Sequence, residues 1–168
     1  MKRCGLYTRV STEDQAQVKD GSLETQMDLL ERHVQLKADS TDETWRVAGR
    51  YREEGRSGKD MNRPEFQHLL ADVRTGKIDV VLCTKFDGIS RSVRDFLGFQ
   101  ETLKDAGVAF VSIGEQWDTT TPMGEFALLL FLGVAQLERK RFRLERRRKP
   151  SGGPRRVSRT VGRSWAMT

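Results

Sequence analysis

The chain has 168 residues, a length that fits one domain with a core of ordinary size. Its two cysteines, Cys4 and Cys83, lack the spacing of a zinc site or a disulfide framework, so we expect free thiols in a reducing compartment and no metal site. The N-terminus is too polar for a signal peptide, and the most apolar segment, Phe126–Leu137, is too short to span a bilayer. These features exclude a secreted disulfide scaffold and predict a cytoplasmic protein that does not enter a membrane.

The positive charge of the chain is concentrated at one end. The formal net charge is +6. Residues 139–168 contain 12 of the 30 lysines and arginines and one of the 24 acidic residues, a net charge of +11, which leaves −5 on residues 1–138. A basic end on a mildly acidic body indicates a polyanionic partner, nucleic acid before a membrane surface.

Short β-rich runs alternate with helical patterns along the chain. Strands are predicted over Arg3–Thr8, Trp45–Arg52, Asp79–Thr84 and Val108–Ile113. Helices are predicted to start at Ser22 and Pro64 and to cover Asp95–Lys104 and Gly124–Arg148. This order predicts an α/β fold with a mainly parallel central sheet of about four to five strands, flanked by helices and followed by a long C-terminal helix.

Polar and cationic residues recur where the predicted strands end. The first strand leads into Arg9 and Ser11, and the third is followed directly by the stretch KFDGISRS, which contains Arg91. Ser11 alone fits a nucleophile, a helix cap or a turn residue, and each arginine alone fits a surface cation. Because the carboxyl ends of parallel strands meet at one edge, Arg9, Arg63 and Arg91 can gather around Ser11, where guanidinium groups suit a phosphate ligand. A serine–histidine hydrolase is a poor fit, since no G-x-S-x-G motif is present.

These motifs together resemble those of the serine recombinases, the family of resolvases, invertases and large serine integrases. The matching residues are Tyr7–Ser11 (YTRVS), GRSG at 55–58, Arg63-Pro64, the 85–92 stretch, and AQLER at 135–139, so the resemblance covers about residues 1–148. It implies that Ser11 attacks DNA and forms a 5′-phosphoserine intermediate without a cofactor or metal. It also implies that Arg9, Arg63 and Arg91 bind the phosphate.

The same resemblance assigns supporting roles to four further residues. Tyr7 and Gln26 match polar positions of the family's active region, Asp87 matches a residue that orients an arginine, and Glu54 stands where the family has an acid. Glu53 is adjacent, and for either acid a solvated loop position remains the open alternative.

One position departs from the family pattern. Gly88 stands where the family has an arginine after the aspartate of its D-R-x-x-R stretch. The absence of this arginine removes one guanidinium from the site. By analogy with the loss of a preorganised hydrogen-bond donor, we expect the rate of cleavage to be lowered by about 10²-fold.

The last predicted helix is apolar on most of its surface and then strongly basic. A body of this size seldom buries a helix of this length completely, so we expect a partner to cover part of its apolar face. The alternative is a fully buried core helix. Resemblance implies a homodimer, which becomes a tetramer in the synaptic complex, with an interface that includes Phe126, Leu129, Leu130, Leu137 and Glu138. The basic end is predicted to track double-stranded DNA, a solvated basic face being the alternative; its cations are Arg139, Lys140, Arg141, Arg143, Arg146, Arg147, Arg148 and Lys149.

We therefore expect a catalytic domain at 1–122, a long interface and DNA-contacting helix at 123–149, and a basic disordered tail at 150–168. The tail is too short for a helix-turn-helix module, so no complete DNA-binding domain is expected within this sequence. The leading hypothesis is a site-specific DNA recombinase catalytic domain. The alternatives are a catalytically impaired, truncated remnant that dimerises and binds DNA non-specifically, and, more distantly, an α/β phosphate-binding enzyme unrelated to DNA.

Overall fold

A computed structural model describes the backbone of residues 1–10, 22–55, 61–90 and 92–148, and the side chains of these residues except 135, 136 and 138–148. The strands are β1 (Lys2–Val10), β2 (Trp45–Glu54), β3 (Val80–Cys83), β4 (Ala109–Ser112) and β5 (Trp117–Asp118). The helices are α1 (Leu23–Ser40), α2 (Pro64–Arg74), α3 (Phe86–Ile89), α4 (Val93–Asp105) and α5 (Pro122–Arg148). In the part of the chain that is described, no helix is long and apolar enough to cross a membrane.

The strands form one sheet in the order β2-β1-β3-β4-β5. The first four are parallel, and β5 runs antiparallel to β4. β1 lies between β2 and β3, and it pairs with β2 as far as Val10 opposite Glu54. The expected α/β fold with a mainly parallel, helix-flanked sheet is confirmed. The carboxyl ends of β1, β2 and β3 meet at one edge, where ligands bind in open α/β sheets.

Both faces of the sheet are covered, which explains why β3 is buried at all four positions. On one face α1 packs through Met27, Leu30 and Val34. The other face carries a larger core to which α2, α4 and α5 contribute, with Phe66, Phe96 and Leu132 among its buried residues. The long helix is therefore attached to the body along one side.

Local sequence signals explain where two of the helices begin. Ser22 caps α1, since its hydroxyl oxygen accepts a hydrogen bond from the Thr25 amide at 3.1 Å. Pro64 occupies the first turn of α2, where its missing N–H costs nothing. Arg63 precedes it as the N-cap residue, so the start of α2 fixes its backbone position.

Helices α4 and α5 each begin two residues earlier than predicted, and three further differences concern the strands and the segment after β3. β1 and β2 run further than predicted, to Val10 and Glu54, so Arg9 lies within a strand. The segment after β3, predicted as a loop, contains the single-turn helix α3. The two-residue strand β5 had no predicted counterpart, because elements this short leave no periodic pattern.

Candidate active site

Arg9 lies at the carboxyl end of β1, and 7% of its surface is exposed. Its Nε donates to the carbonyl oxygen of Gly88 at 3.2 Å, and its Nη2 lies 3.5 Å from that of Asp87. The backbone of Arg9 belongs to a central strand, and its guanidinium is held by carbonyl oxygens of α3.

Arg63 has no exposed surface and reaches the same helix from the start of α2. Its Nη1 donates to the carbonyl oxygen of Gly88 at 3.1 Å, and its Nη2 donates to that of Ile89. The guanidinium carbon also lies 5.5 Å from the ring centroid of Tyr7 and 5.0 Å from that of Phe66. Carbonyl dipoles and aromatic faces together replace part of the hydration that the buried cation loses.

The acceptors are available because α3 is only one turn long. Its helical bond runs from the Ser90 amide to the Phe86 carbonyl at 3.1 Å. The carbonyls of the last turn of a helix have no partner within the helix, and here they face the two arginines. Arg9 and Arg63 are therefore brought together on main-chain atoms of residues 87–89.

Tyr7 lies between these cations and the core, and 1% of its surface is exposed. Burial raises the pKa of the Tyr7 phenol well above its usual value; Arg63 and Arg9 oppose this change, and Glu53 adds to it. The hydroxyl has no hydrogen-bond partner among the described residues. The raised pKa favours the neutral form of the phenol near pH 7.

The two neighbouring acids at the end of β2 have different environments. Glu54 is exposed, whereas Glu53 is buried and 4% of its surface is exposed. The Glu53 Oε2 accepts hydrogen bonds from the backbone amides of Glu65 at 3.0 Å and Phe66 at 3.3 Å. It caps the start of α2 in place of an N-cap side chain, and so fixes Arg63, the residue at that start. The capping role of Glu53 was not predicted from the sequence; the available signal was Pro64, which marks a helix start without a capping residue before it.

The supporting residues contact the site mainly through the backbone. Gln26 donates from its Nε2 to the Arg9 carbonyl oxygen at 3.3 Å, and its Oε1 lies 3.4 Å from the Thr84 hydroxyl. Asp87 meets Arg9 through its carbonyl oxygen, and its side chain is exposed. Gln26 therefore ties α1 to the end of β1.

Gly88 presents its carbonyl oxygen to both arginines and leaves open space where a side chain would be. A Cβ built there meets no atom of the described residues within 4 Å, and the backbone is not in the left-handed region. The first atom of a side chain therefore fits at this position.

Several predicted site residues lie outside the part of the chain that is described. Ser11 follows Val10 directly but is outside it, as are Arg91, Lys149 and the tail. The side chains of Glu138 and of the cations at 139–148 are also outside it, although their backbone belongs to α5. Of the predicted interface residues, Phe126, Leu129, Leu130 and Leu137 are exposed on α5.

The sheet order, the two arginines meeting at its carboxyl edge and the long C-terminal helix fit the expected catalytic domain of a serine recombinase. The family model "Resolvase, N terminal domain" matches residues 4–150, and the chain belongs to this family.

Two similar proteins support the same assignment. The chain is 37% identical over 135 residues to a probable DNA-invertase of Sinorhizobium fredii, covering 79% of the chain and 37% of that protein. It is 31% identical over 133 residues to the transposon Tn917 resolvase of Enterococcus faecalis, covering 79% of the chain and 61% of that protein. The chain thus spans less than two thirds of the length of these relatives.

Solved structures show the same architecture. The N-terminal catalytic domain of TP901-1 integrase superposes with a TM-score of 0.72 at 33% identity, covering 83% of this chain and 98% of that one. A resolvase family site-specific recombinase from Streptococcus pneumoniae gives a TM-score of 0.67 at 26% identity, covering 86% and 93%.

Proposed function

We propose that the chain is the catalytic domain of a site-specific recombinase that cleaves and rejoins double-stranded DNA in the cytoplasm through Ser11. The observation that carries this proposal is the meeting of Arg9 and Arg63 on the Gly88 carbonyl, at the end of the strand that leads directly into Ser11. Family membership supports it independently.

In the proposed reaction the Ser11 oxygen attacks a DNA phosphorus atom. A serine–phosphate bond forms, the bond from phosphorus to the 3′ oxygen breaks, the serine proton is lost, and the 3′ oxygen takes up a proton. Attack by a 3′ hydroxyl on the phosphoserine reverses these changes and rejoins a strand. One phosphoester replaces another at each step, so the exchange needs no nucleotide hydrolysis.

The arginines supply the electrostatic part of catalysis. Negative charge builds up on the non-bridging oxygens during attack, and guanidinium groups fixed beforehand stabilise it without reorganising. Main-chain carbonyls fix the orientation of Arg9 and Arg63, so both positive charges are in place before the attack begins. We assign Arg91 to the same cluster, with Tyr7, Gln26, Asp87 and Glu54 in support.

The long helix supports a second part of the proposal, a homodimer that assembles into a tetramer on DNA. Leu128 and Leu132 are buried against the body, while Phe126, Leu129, Leu130 and Val134 on the same helix are each more than half exposed. An apolar surface of this kind on a helix already attached on one side fits a second copy of the chain. The cations of 139–149 would then follow the phosphates of double-stranded DNA, with 1–122 as the catalytic domain.

A covalent-adduct assay tests the proposal. The chain is incubated with supercoiled plasmid that carries candidate recombination sites, and the products are separated under denaturing conditions. We expect a protein–DNA adduct that disappears in Ser11→Ala. Salt-sensitive DNA binding without an adduct would favour the alternative, a remnant that dimerises and binds DNA non-specifically.

A further inference from the structure

The positions of Arg9 and Arg63 depend on where α3 sits, because both side chains donate to carbonyls of this one-turn helix. The N-cap residue of α3, Lys85, makes no side-chain capping bond within the part of the chain that is described. The helix start is held from another loop instead, since the Phe86 amide donates to Glu115 Oε2 at 3.1 Å.

Glu115 is itself held by the end of β4. The hydroxyl of Ser112, which has no exposed surface, donates to the same Oε2 atom of Glu115. One carboxylate oxygen therefore joins β4 to the first amide of α3. Charge-assisted bonds of this type are roughly twice as strong as neutral ones.

The turn between β4 and β5 is built to bring Glu115 close to α3. The Gly114 amide donates to the Thr84 carbonyl at 2.7 Å, and a Cβ at 114 would lie 2.9 Å from that oxygen, so a side chain would displace the turn. Gln116, the next residue after Glu115, has φ = 56°, a conformation that costs a non-glycine residue about 1 kcal/mol or more. The close approach at Gly114 and the unusual backbone at Gln116 flank Glu115 and fix its position.

We propose that Glu115 is a positioning residue for the two arginines of the active site. It holds α3 through the Phe86 amide, and α3 in turn presents the Gly88 carbonyl to Arg9 and Arg63. The effect of Glu115 on the rate of cleavage rests on the proposed function, but its effect on the positions of the two guanidinium groups does not. Glu115 acts through the backbone and has no contact with the reacting groups in this account.

Two substitutions separate this role from a general effect on folding. Glu115→Ala removes the acceptor, and a misplacement of about 1 Å in the arginines lowers the rate of adduct formation by about 10- to 100-fold. Glu115→Gln keeps one oxygen acceptor for Phe86 and Ser112, and we expect it to restore the rate to within about threefold of the unsubstituted chain. If the negative charge of Glu115 itself is needed for the reaction, Glu115→Gln will not restore the rate, and the positioning role would be contradicted.

Asp79→Asn is the matched control. Asp79 is also a carboxylate that accepts a backbone amide, that of Arg3 at 2.8 Å, but it lies at the opposite end of the sheet. The substitution lowers stability without touching α3, so it is expected to leave both arginines and the rate of adduct formation unchanged.

The test uses the full chain and two readouts. The Nε–H NMR signals of Arg9 and Arg63, assigned with Arg→Lys variants, report the guanidinium environments without any reaction. The adduct assay reports catalysis. We expect Glu115→Ala to shift both signals and to speed their exchange with solvent, Glu115→Gln to return them, and Asp79→Asn to leave them in place.

Unchanged signals and an unchanged rate in Glu115→Ala would overturn the proposal, as would equal effects from Asp79→Asn. If Glu115→Ala does not fold, Ser112→Ala takes its place, since it removes the hydroxyl that holds the carboxylate, and a smaller change in the same direction is expected. If the unsubstituted chain forms no adduct, the proposed function fails, and the NMR signals alone decide the role of Glu115.

Discussion

Arg9 and Arg63 donate to the same atom, the carbonyl oxygen of Gly88, at 3.2 and 3.1 Å. They come from different elements, β1 and the start of α2, and they are 54 positions apart in the sequence. A single main-chain atom of α3 therefore sets the spacing between two cations. The site depends on the backbone of residue 88 even though that residue has no side chain.

Arg63→Lys tests whether this geometry matters beyond charge. Lysine keeps the positive charge but cannot donate to the Gly88 and Ile89 carbonyls at once from a planar fork. We expect adduct formation to fall by about 10²-fold and the free energy of unfolding to fall by about 1–3 kcal/mol, because buried acceptors lose donors. Arg74→Lys, on the exposed end of α2, is the control. An Arg63→Lys variant as active as the unsubstituted chain would show that charge alone suffices.

Gly88→Arg tests the cost of the departure from the family pattern. A Cβ at this position meets no atom of the described residues within 4 Å, so we expect the fold to be retained and the added guanidinium to raise the rate of adduct formation by about 10²-fold. Gly88→Ala is the matched control: it is expected to raise the free energy of unfolding by about 0.5–1 kcal/mol without that gain in rate. An unchanged rate in Gly88→Arg would show that the glycine does not limit the rate of cleavage.

The acids at the end of β2 supply a matched pair of substitutions. Glu53→Ala removes the acceptor for two amides at the start of α2 and is expected to cost about 1–2 kcal/mol of stability, as for a lost helix cap. Glu54→Ala changes an exposed side chain and is expected to stay within about 0.5 kcal/mol. Urea unfolding of both variants checks the difference. Equal losses would mean that Glu53 does not fix α2.

The exposed apolar surface of α5 predicts the behaviour of the chain in solution. Leu130→Asp places a charge in the proposed interface and is expected to weaken self-association at least about tenfold, measured by sedimentation. Leu36→Asp changes a similarly exposed leucine on α1 and is the control. A dimer that tolerates Leu130→Asp but not Leu36→Asp would place the interface elsewhere.

Asp79 predicts one part of the acid sensitivity of the fold. Its hydrogen bonds with the Arg3 side chain lower the pKa of the carboxyl from 3.8 to about 2, against the opposing effect of burial. A lowered pKa means that this interaction stabilises the fold above the ordinary pKa and that the stabilisation is lost as the pH falls from about 4 towards 2. The difference in unfolding free energy between the unsubstituted chain and Asp79→Asn should therefore shrink across this range. A constant difference would contradict the assignment.

The sequence indicated much of the fold because its strands and helices carry clear periodic or capping signals. Ser22 and Pro64 marked helix starts, and the apolar run 79–84 marked a buried strand. The parts that escaped prediction are short elements whose conformation depends on tertiary contacts. α3 is held by Glu115 and by two arginines, and β5 is held by its pairing with β4.

The site was predictable in residue type more than in geometry. The strand-end arginines pointed to a phosphate ligand, but no local signal shows that both converge on a carbonyl of residue 88. Likewise, the different exposure of Glu53 and Glu54 depends on the alternation of side chains along β2. That alternation could be assigned only once the strand was known to extend to Glu54.

The most direct test of the central claim is the identity of the DNA end that becomes attached to protein. The adduct is digested with protease, the peptide is identified by mass spectrometry, and both ends of the broken strand are labelled. We predict a nucleotide linked through its 5′ phosphate to Ser11 and a free 3′ end that terminal transferase extends. A peptide attached to the 3′ end, or to a residue other than Ser11, would contradict the account.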